Sequence, residues 1–482
     1  MKTYGNYIGG EWREPGASGT FAVINPATGE TVAEVASATA TDIRDSIDRA
    51  EAAMVDWAAM PAIERSHILR RAAAIMMGRV DELAEILTRE QGKPLAQAKG
   101  EIAYGCGFID WFAEEGRRAY GTTIPASVPD KRIIVVKQPI GISVAITPWN
   151  FPSVQLLRKL GAALAAGCPM IAKPAELTPL SSLEIARAFD EAGLPKGVFS
   201  VVCAAEPYEF TDIIMADPRV RAVSFTGSTE VGKLLMRRGA DHVKKVSLEL
   251  GGQAPTIVFE DADLDVVVAE TMASKFRNMG QTCVSVNRIY VHESIIDELA
   301  TRMQVAISQL QVGDGLHPNS TVGPLVEPAA VEKVERHVAD AIAKGARVLQ
   351  GGKRASGTDL KSDQFFEPTL LVGVDESMQV MQEETFGPVA PLVPFSDEKD
   401  VVARANGTPY GLSAYLFTRD INRAIRVTEA LEFGTIGVND STFSAVQAPF
   451  GGFKESGLGR EGGFLGLDEF MEYKFISIGN VR

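Results

Sequence analysis

The feature that most constrains the fold is a repeated alternation of short apolar strands and helices between Gly141 and Leu250. Strands are predicted near residues 142–146, 170–173, 198–202, 222–225 and 246–250, with a helix in each interval. Strands that alternate with helices form βαβ units and a parallel sheet. A second pattern of this kind begins at Thr256 and closes near Gly451. The sequence therefore predicts an α/β fold with two sheet-containing domains, as expected for a chain too long for one small core.

The residues before Gly141 are predicted to be mostly helical. The first forty residues form short strands and hairpins, and an amphipathic helix follows from Ile43 to Trp57. A second helix is predicted to run without interruption from about Ile63 to Glu90, where a Gly/Pro terminator stops it. A third helix covers roughly Ala98 to Arg118. We place residues 1–120 and 141–251 in the first domain and residues 252–450 in the second.

Two segments have the character of exposed strands. Residues 121–140 contain the β-type run Arg132–Lys137 between prolines, which predicts an arm that pairs with another segment or another subunit. The tail from Phe470 to Ile478 alternates like an exposed strand, and an exposed edge needs a partner. We therefore assign residues 121–140 and 465–482 to a small β oligomerisation arm, and expect a homodimer or homotetramer.

Composition and charge exclude several classes of function. The 482 residues are 45% hydrophobic and 23% charged, as in ordinary globular proteins. A net charge of −14 without a long basic run argues against nucleic acid and against an anionic membrane surface as partners. The N-terminus has no apolar core of signal-peptide length, and no segment approaches the roughly 20 apolar residues of a membrane span. The four cysteines form no CxxC pair and no cluster with histidine, so we expect no metal site and a reducing, cytoplasmic location.

One of these cysteines, Cys283, is a candidate nucleophile. It follows the small polar run Gly280-Gln281-Thr282 and precedes a β-type segment that starts at Arg288. A thiol held in a turn near backbone N–H groups can have a lowered pKa and become nucleophilic. Most free cysteines are small buried hydrophobic residues instead, and on this segment alone that interpretation is slightly favoured.

Glu249 is a candidate general base. It lies between an apolar strand and Gly251-Gly252, at the predicted carboxyl end of the last strand of the first domain. Ligands of parallel sheets bind at the carboxyl ends of the strands. An acid flanked by leucines is costly to bury, and burial raises its pKa towards the range that a general base needs near neutrality.

Other strand ends carry residues suited to a nucleotide. The segment from Gly227 to Gly232 has glycines at both ends between a strand and a helix, which suits a turn against a nucleotide but is not the GxGxxG fingerprint. Lys173 is either a surface lysine or a group that hydrogen-bonds a ribose. Glu176 is either a solvated loop acid or the acceptor for a ribose 2′-hydroxyl.

Taken together, the motifs occur in an order and spacing that narrow the choice. They are Pro148-Trp149-Asn150-Phe151-Pro152, Lys173-Pro174-Ala175-Glu176, Phe225-Thr226-Gly227-Ser228, Leu248-Glu249-Leu250-Gly251-Gly252, Gly280-Gln281-Thr282-Cys283, Glu383-Glu384-Thr385-Phe386-Gly387-Pro388, Pro449-Phe450-Gly451-Gly452 and Gly457-Leu458-Gly459-Arg460. In this order the chain resembles the aldehyde dehydrogenase superfamily over nearly its whole length.

The resemblance implies an oxidation that proceeds through a thiol. The Cys283 thiolate attacks an aldehyde carbonyl, and the oxyanion of the thiohemiacetal is held by the Asn150 side-chain amide and the Cys283 backbone N–H. Hydride passes to a nicotinamide ring, which leaves a thioester. Glu249 then activates the water that hydrolyses the thioester to the acid.

The resemblance also implies a Rossmann-like NAD-binding domain followed by a catalytic domain. Glu384 would hold the nicotinamide ribose with Phe386 near the ring, and Lys173 and Glu176 would grip the adenosine ribose. An acid at position 176 favours a free 2′-hydroxyl and repels a 2′-phosphate, so we expect NAD as the preferred cofactor and NADP as a second one. The cofactor cleft would be lined by Trp149, Gly227, Ser228 and Leu250.

Three further residues bear on the substrate. Arg158, Arg277 and Ser444 fall where succinate semialdehyde dehydrogenases carry the groups that bind the distal carboxylate, and such contacts are charge-assisted. The implied substrate is a small ω-carboxy aldehyde, foremost succinate semialdehyde. Many of these enzymes have a second cysteine where this chain has Ser285, so we expect no disulfide switch there. This departure leaves 2-oxoglutarate semialdehyde and glutarate semialdehyde as alternatives, because dehydrogenases for both share an arginine-rich pocket.

Three other functions are alternatives to the oxidation of an aldehyde to an acid. CoA-acylating dehydrogenases dispense with the water-activating glutamate, so Glu249 counts against that activity. A cysteine hydrolase would pair Cys283 with a histidine, but the nearest in sequence, His292, has no evident carboxamide partner. A non-catalytic structural relative is disfavoured because Cys283, Glu249 and Asn150 are all intact.

Overall fold

The computed structural model describes residues 2–442 and 445–481. Its N-terminal part contains seven short strands around four helices. The elements are β1 (Lys2–Tyr4), β2 (Asn6–Ile8), β3 (Glu11–Arg13), β4 (Thr20–Ile24), β5 (Thr31–Ala36), α1 (Ala40–Ala59), α2 (Ala62–Gly78), α3 (Val80–Gln91), α4 (Leu95–Glu115), β6 (Thr122–Ile124) and β7 (Arg132–Pro139).

The prediction of one unbroken helix from Ile63 to Glu90 is wrong. The chain instead forms α2 and α3, and Arg79 between them has φ −112° and ψ 18°, outside the helical range. Gly78, a poor helix former, precedes the break, and the Arg79 guanidinium lies 2.8 Å from Glu184. Apolar periodicity continues across the break, which is why the pattern alone does not reveal it.

The alternation after Gly141 is confirmed, with every predicted strand and helix present within about two residues at each end. The elements are β8 (Ile142–Ile146), α5 (Pro152–Ala166), β9 (Met170–Lys173), α6 (Leu180–Glu191), β10 (Phe199–Val201), α7 (Pro207–Ala216), β11 (Val220–Thr226), α8 (Thr229–Gly239) and β12 (Lys245–Glu249).

The rest of the chain repeats the alternation and then returns to the earlier part. The elements are β13 (Pro255–Val258), α9 (Leu264–Lys275), β14 (Arg288–His292), α10 (Ile296–Ser308), α11 (Pro328–Ala343), β15 (Arg347–Gln350), β16 (Thr369–Val372), α12 (Gln379–Gln382), β17 (Val389–Phe395), α13 (Glu398–Asn406), β18 (Tyr410–Gly411), β19 (Ser413–Phe417), α14 (Ile421–Ala430), β20 (Thr435–Val438), β21 (Phe453–Lys454), β22 (Gly457–Leu458), α15 (Leu465–Asp468) and β23 (Met471–Ile478). Single-turn 3₁₀ segments lie at Gly116–Arg118, Ala240–His242 and Arg277–Gly280.

Two large sheets organise the molecule. The first has eight strands in the order β22-β12-β11-β8-β9-β10-β2-β3, and the five strands from β12 to β10 are parallel to one another. The second has seven strands in the order β15-β16-β17-β14-β13-β19-β20, and all but β15 are parallel. Strands β9 and β13 are buried along their whole length, as expected for parallel strands covered by helices on both faces.

The two segments assigned to an arm lie in one sheet. Strand β23 pairs antiparallel with β7 along its full length, from Met471 opposite Pro139 to Ile478 opposite Arg132, and β6 pairs with the other side of β7. This leaves β23 at the edge of the sheet, with Tyr473 and Phe475 more than half exposed. Within the described residues, no helix combines the length and the apolar character needed to cross a bilayer.

Candidate active site

Three neighbouring strands bring polar side chains to one edge of the eight-stranded sheet. In the β11–β12 ladder Thr226 lies opposite Glu249, and in the β8–β11 ladder Ile146 lies opposite Phe225. The loop after β8 then carries Asn150 to the start of α5. Because the carboxyl ends of these parallel strands meet at one edge, Asn150, Thr226 and Glu249 lie at the same place.

The second sheet contributes Cys283. The thiol lies in the loop between the 3₁₀ turn Arg277–Gly280 and β14, and it is only half-buried, whereas the other cysteines are buried. Backbone in the left-handed region shapes this loop, with φ 48° at Asn278, 57° at Met279 and 72° at Gly280. A Cβ on Gly280 would lie 2.3 Å from the Gly387 carbonyl oxygen, so only glycine fits there.

The thiol and the candidate base are in contact. Cys283 Sγ donates to Glu249 Oε1 at 3.2 Å. Burial and the adjacent Glu249 carboxylate raise the pKa of the Cys283 thiol well above its usual value. The prediction of a thiol with a lowered pKa is therefore wrong for this arrangement, because a carboxylate and not a backbone N–H group faces the sulfur. The thiol keeps its proton at rest and has a base in place to receive it.

Glu249 belongs to a buried network of charges. Its Oε2 accepts from Arg158 Nη2 at 2.6 Å and from the Thr226 hydroxyl at 3.2 Å. Burial raises the pKa of Glu249, the Arg158 cation opposes that shift, and the Glu461 carboxylate adds to it. Arg158 Nε in turn lies 2.7 Å from Glu461 Oε2, and Lys159 is ion-paired to the same Glu461 carboxylate. Arg158 is thus the cation between two buried acids.

The backbone carbonyl of Asn150 is fixed by two hydrogen bonds, and one N–H group of its side chain remains available. Its carbonyl oxygen accepts from Lys93 Nζ at 2.7 Å and from Asn278 Nδ2 at 3.0 Å. Asn150 Nδ2 donates to the Gln281 carbonyl at 3.1 Å. A side-chain amide has two N–H groups, so one remains for a ligand beside Cys283.

A cavity of about 360 Å³ lies on one side of the thiol. Cys283, Glu249, Arg158 and Arg277 all line it, as do aromatic side chains such as Phe151 and Phe450. The Arg277 guanidinium is exposed, lies 5.5 Å from the centre of the Phe151 ring, and has no carboxylate of the described chain within ion-pair distance. Ser444, the third residue predicted to bind a carboxylate, lies outside the described residues.

A second cavity of about 450 Å³ lies on the other side of the thiol. Cys283 and Asn150 line it together with six of the residues predicted to bind the cofactor: Trp149, Gly227, Ser228, Leu250, Glu384 and Phe386. Glu384 Oε1 accepts from the Gly252 N–H at 3.0 Å, and burial raises the pKa of the Glu384 carboxyl to about 7. Trp149 and Phe386 meet edge to face with ring centres 5.6 Å apart.

The remaining two residues of that prediction lie together at a neighbouring strand end. Lys173 closes β9, opposite Ile146 of β8, and its ammonium is ion-paired with Glu176. Neither lines the second cavity, which ends before them. Lys173 is buried, whereas the Glu176 side chain is about one third exposed. In the described part of the chain, no group of three or more His, Cys, Asp or Glu side chains could hold a metal ion.

Sequence reasoning missed three residues that support the site. Lys93 was interpreted only as part of a helix terminator, yet it is fully buried, ion-paired with Glu101 at 2.5 Å and bound to Asn150. Thr226 stands in a recognised motif, and its position at a strand end was the available signal. Glu461 has no local signal, because its partners Arg158 and Lys159 lie about 300 residues earlier in the chain.

Comparison with known proteins agrees with this geometry. The model of the aldehyde dehydrogenase family matches residues 12–476. The NADP(+) succinate-semialdehyde dehydrogenase of Escherichia coli (strain K12) is 51% identical over 472 residues, which cover 98% of this chain and 97% of that protein. The glutarate-semialdehyde dehydrogenase of Pseudomonas putida KT2440 is 50% identical over 472 residues, with 98% and 97% covered. The crystal structure of a succinate-semialdehyde dehydrogenase from Burkholderia pseudomallei superposes with a TM-score of 0.97 at 52% identity, and 99% of this chain and 98% of that one are covered.

Proposed function

Since the chain belongs to the aldehyde dehydrogenase family, we propose that it oxidises succinate semialdehyde to succinate with a nicotinamide dinucleotide as the oxidant. The observation that carries the proposal is the cavity that joins the Cys283–Glu249 pair to the guanidinium of Arg277. Arg277 is a cation without an ion-pair partner in the described chain, at the wall of a cavity whose other end holds the nucleophile. A short aldehyde with an anionic far end fits both requirements.

Acylation uses the contact between thiol and carboxylate. As Cys283 attacks the aldehyde carbon, Glu249 Oε1 takes the Sγ proton from 3.2 Å away. The oxyanion of the thiohemiacetal is held by the free Asn150 N–H and by the Cys283 backbone N–H. The backbone of Asn150 is fixed by Lys93 and Asn278, so this donor is already in place before the reaction.

The second cavity suits the cofactor. Gly227, Ser228 and Gly251 line this cavity together with Cys283, and Glu384 offers a carboxylate to ribose hydroxyls. A nicotinamide dinucleotide bound there would supply the acceptor for the hydride that leaves when the thiohemiacetal is oxidised. Phe386 and Trp149, in edge-to-face contact, line the same cavity and would shield part of a bound ring from water.

Hydrolysis of the thioester uses Glu249 a second time. Glu249 first releases the thiol proton to solvent. The carboxylate then takes a proton from water, the hydroxide so formed attacks the thioester carbon, and the displaced Cys283 thiolate takes that proton from Glu249. Acid is then released without coenzyme A. The presence of Glu249 against the thiol therefore disfavours a CoA-acylating dehydrogenase, and the contact of Cys283 with a glutamate and not with His292 disfavours a cysteine–histidine hydrolase.

Members of this family use NAD or NADP, and we propose that this chain prefers NAD and accepts NADP. Glu176 at the end of the Lys173 loop would accept a hydrogen bond from a free 2′-hydroxyl and would repel a 2′-phosphate. Its ion pair with Lys173 weakens the repulsion, which supports NADP as a second cofactor. The name of the Escherichia coli relative specifies NADP(+).

A second candidate substrate is glutarate semialdehyde, one carbon longer, because the relative from Pseudomonas putida that matches the chain nearly as well carries that name. The 2-oxoglutarate semialdehyde remains the third candidate, since its far end is also a carboxylate. Arg277 would bind the carboxylate of all three aldehydes. Selection among aldehydes of different length therefore depends on the depth of the cavity and not on charge.

We further propose that the β6–β7–β23 arm joins subunits into a homodimer or homotetramer, because β23 presents exposed aromatic side chains at an open sheet edge. A cytoplasmic location is also proposed. It is supported by the four cysteines, all of which are free thiols, as a reducing compartment would keep them.

A turnover panel tests the proposed function. Purified protein is assayed with succinate, glutarate and 2-oxoglutarate semialdehydes and with butanal, each with NAD and with NADP. The expected result is a kcat/KM for succinate semialdehyde that exceeds the value for every other aldehyde, with NAD ahead of NADP. A higher kcat/KM for butanal would refute the proposal of an acid-specific pocket.

A further inference from the structure

Arg158 is placed to act on the base as well as on a substrate. Its Nη2 contacts Glu249 Oε2 at 2.6 Å, and the same nitrogen donates to Gln155 Oε1 at 2.7 Å. The opposite side of the guanidinium, at Nε, lies 2.7 Å from Glu461. Nη2 therefore donates inside the protein and Nε lies within ion-pair distance of an acid, whereas no bond of Nη1 is present among the described residues.

The guanidinium is also fixed in position. Arg158 is buried, and the rings of Phe450 and Phe108 lie 4.9 Å and 5.7 Å from its central carbon. Glu461, which holds Nε, is itself ion-paired with Lys159 from the next position of α5. An arginine clamped at several points cannot move to follow a substrate without breaking buried ion pairs, which is costly.

The contacts with Arg158 and Thr226 orient the carboxylate of Glu249. Both donors bind Oε2, which leaves Oε1 to face Cys283 Sγ. Without the Arg158 contact, Thr226 alone would restrain the carboxylate and the nearest remaining charges would be Lys159 and the Glu461 anion. The Arg158 side chain thus determines both the orientation of the Glu249 carboxylate and the electrostatic environment that sets its pKa.

Arg277 differs from Arg158 in each of these respects. It is exposed, it has no ion-pair partner in the described chain, and its ring contact is with Phe151 at the wall of the cavity. Among the described residues, the Arg277 charge has no counter-ion. The two arginines therefore differ in their contacts within the protein although both line the same cavity.

We propose that Arg158, besides lining the substrate cavity, is a positioning residue that holds Glu249 as the base for every aldehyde. This inference rests on the thioester chemistry proposed above, but not on the identity of the substrate. Its consequence is that loss of Arg158 impairs reactions whose substrates carry no carboxylate at all.

The test uses p-nitrophenyl acetate, which needs no cofactor. The Cys283 thiol attacks the ester carbonyl, its proton passes to Glu249 and then to solvent, and p-nitrophenolate leaves. Glu249 next takes a proton from water, the hydroxide attacks the acetyl thioester, and the displaced Cys283 sulfur takes that proton from Glu249. The acetic acid so formed ionises in solution. Both steps need ionised Glu249, so the rise of the steady-state rate on the acid side of the pH profile reports its ionisation.

In the Arg158→Gln variant the steady-state rate of ester hydrolysis should fall about 10- to 100-fold. This is less than the full contribution of a general base, because Glu249 is still present but less well oriented. The acid limb of the profile should move to higher pH, because Glu249 loses the cation that favours its charged form. The groups left around Glu249 are Lys159, Glu461, Thr226 and Cys283. With butanal and cofactor, the same variant should lose kcat with little change in KM.

Three further variants complete the test. Glu249→Gln should lose at least as much ester activity as Arg158→Gln. Arg158→Lys keeps a cation and should restore the position of the acid limb, with a rate still about 10-fold below the unaltered protein because lysine cannot reach Glu249 and Glu461 together. Arg426→Gln removes an arginine of a surface ion pair with Glu398 and should change nothing.

An acid limb that stays in place in Arg158→Gln would overturn the proposal, as would an unchanged butanal kcat. Should Arg158→Gln fail to fold, Arg158→Lys decides, because an unaltered ester rate in that variant contradicts the positioning role. Preference of the unaltered protein for butanal over succinate semialdehyde would refute the substrate proposal and leave this test intact. Absence of both ester hydrolysis and butanal oxidation in the unaltered protein would overturn the shared chemistry and this role with it.

Discussion

Replacement of Arg277 by glutamine should separate aldehydes with an acid group from aldehydes without one. The guanidinium lines the cavity beside Cys283 and has no ion-pair partner in the described chain. Its removal therefore breaks no ion pair among the described residues, and the loss falls on the substrate. Glutamine keeps the polarity and much of the stem, so the charge is the main change.

The size of the effect follows from the exposure of the guanidinium. Two unit charges about 4 Å apart interact with about 4 kcal/mol at an effective dielectric constant of about 20. Because Arg277 is exposed, water screens its charge, and we take about half of that interaction energy. A loss of about 2 kcal/mol corresponds to roughly a 30-fold decrease in kcat/KM for succinate semialdehyde.

The assay compares succinate semialdehyde with butanal in the unaltered protein, in Arg277→Gln and in Arg277→Lys. We expect the loss for succinate semialdehyde to be mostly in KM, a much smaller change for butanal, and an intermediate value for lysine, which keeps the charge without the fork geometry. Added salt should weaken the discrimination by the unaltered protein, because the charge is exposed. Equal losses for the two aldehydes in Arg277→Gln would refute the assignment of Arg277 as the reader of the far carboxylate.

Three other outcomes are expected. Cys283→Ala should abolish NADH formation while the cofactor still binds, as measured by fluorescence titration; turnover above a few per cent would contradict the role of the thiol. Phe475→Glu on the edge strand should reduce the oligomer mass measured by light scattering, whereas the neighbouring Lys474→Glu, on the opposite face of the strand, should not. Burial raises the pKa of Glu90 from 4.5 to about 8, so the stability it contributes is present below pH 4.5 and is lost as the pH rises through 8. The urea midpoint should therefore fall between pH 6 and pH 9, and less so in Glu90→Gln; an equal fall in both would contradict the assignment.

The parallel sheets were the most predictable part of the fold. Buried parallel strands are short continuous apolar runs, and those of β8 to β12 are separated by helices with clear periodicity. The break at Arg79 was not predictable in the same way, because the apolar stripe continues from α2 into α3 and the break is fixed by a contact with Glu184 on a distant helix. The tail strand β23 was predicted, but the strands and helices between Phe395 and that strand were not predicted one by one, since several have only two to five residues.

In the candidate site, too, residues in local motifs were predictable, whereas contacts between distant segments were not. Cys283, Glu249 and Asn150 stand in motifs at strand ends, and the structure brings them to one place. The ion pair between Arg158 and Glu249 joins residues 91 positions apart, and nothing local in either segment announces it. For the same reason, the sequence did not predict that the pKa of the Cys283 thiol is raised. That shift depends on the contact of the sulfur with Glu249, which belongs to the other sheet.

The cavity beside Cys283 is built from two parts of the chain that are far apart in sequence. Tyr104 and Arg158 come from α4 and α5, whereas Arg277 and Cys283 come from the segment before β14. Hybrids that exchange residues 252–450 between relatives would inherit the thiol and the free cation from one parent and the facing wall, with the clamped arginine, from the other. Exchange of one half alone therefore combines two walls from different parents, and both walls must be exchanged to keep the cavity of one parent.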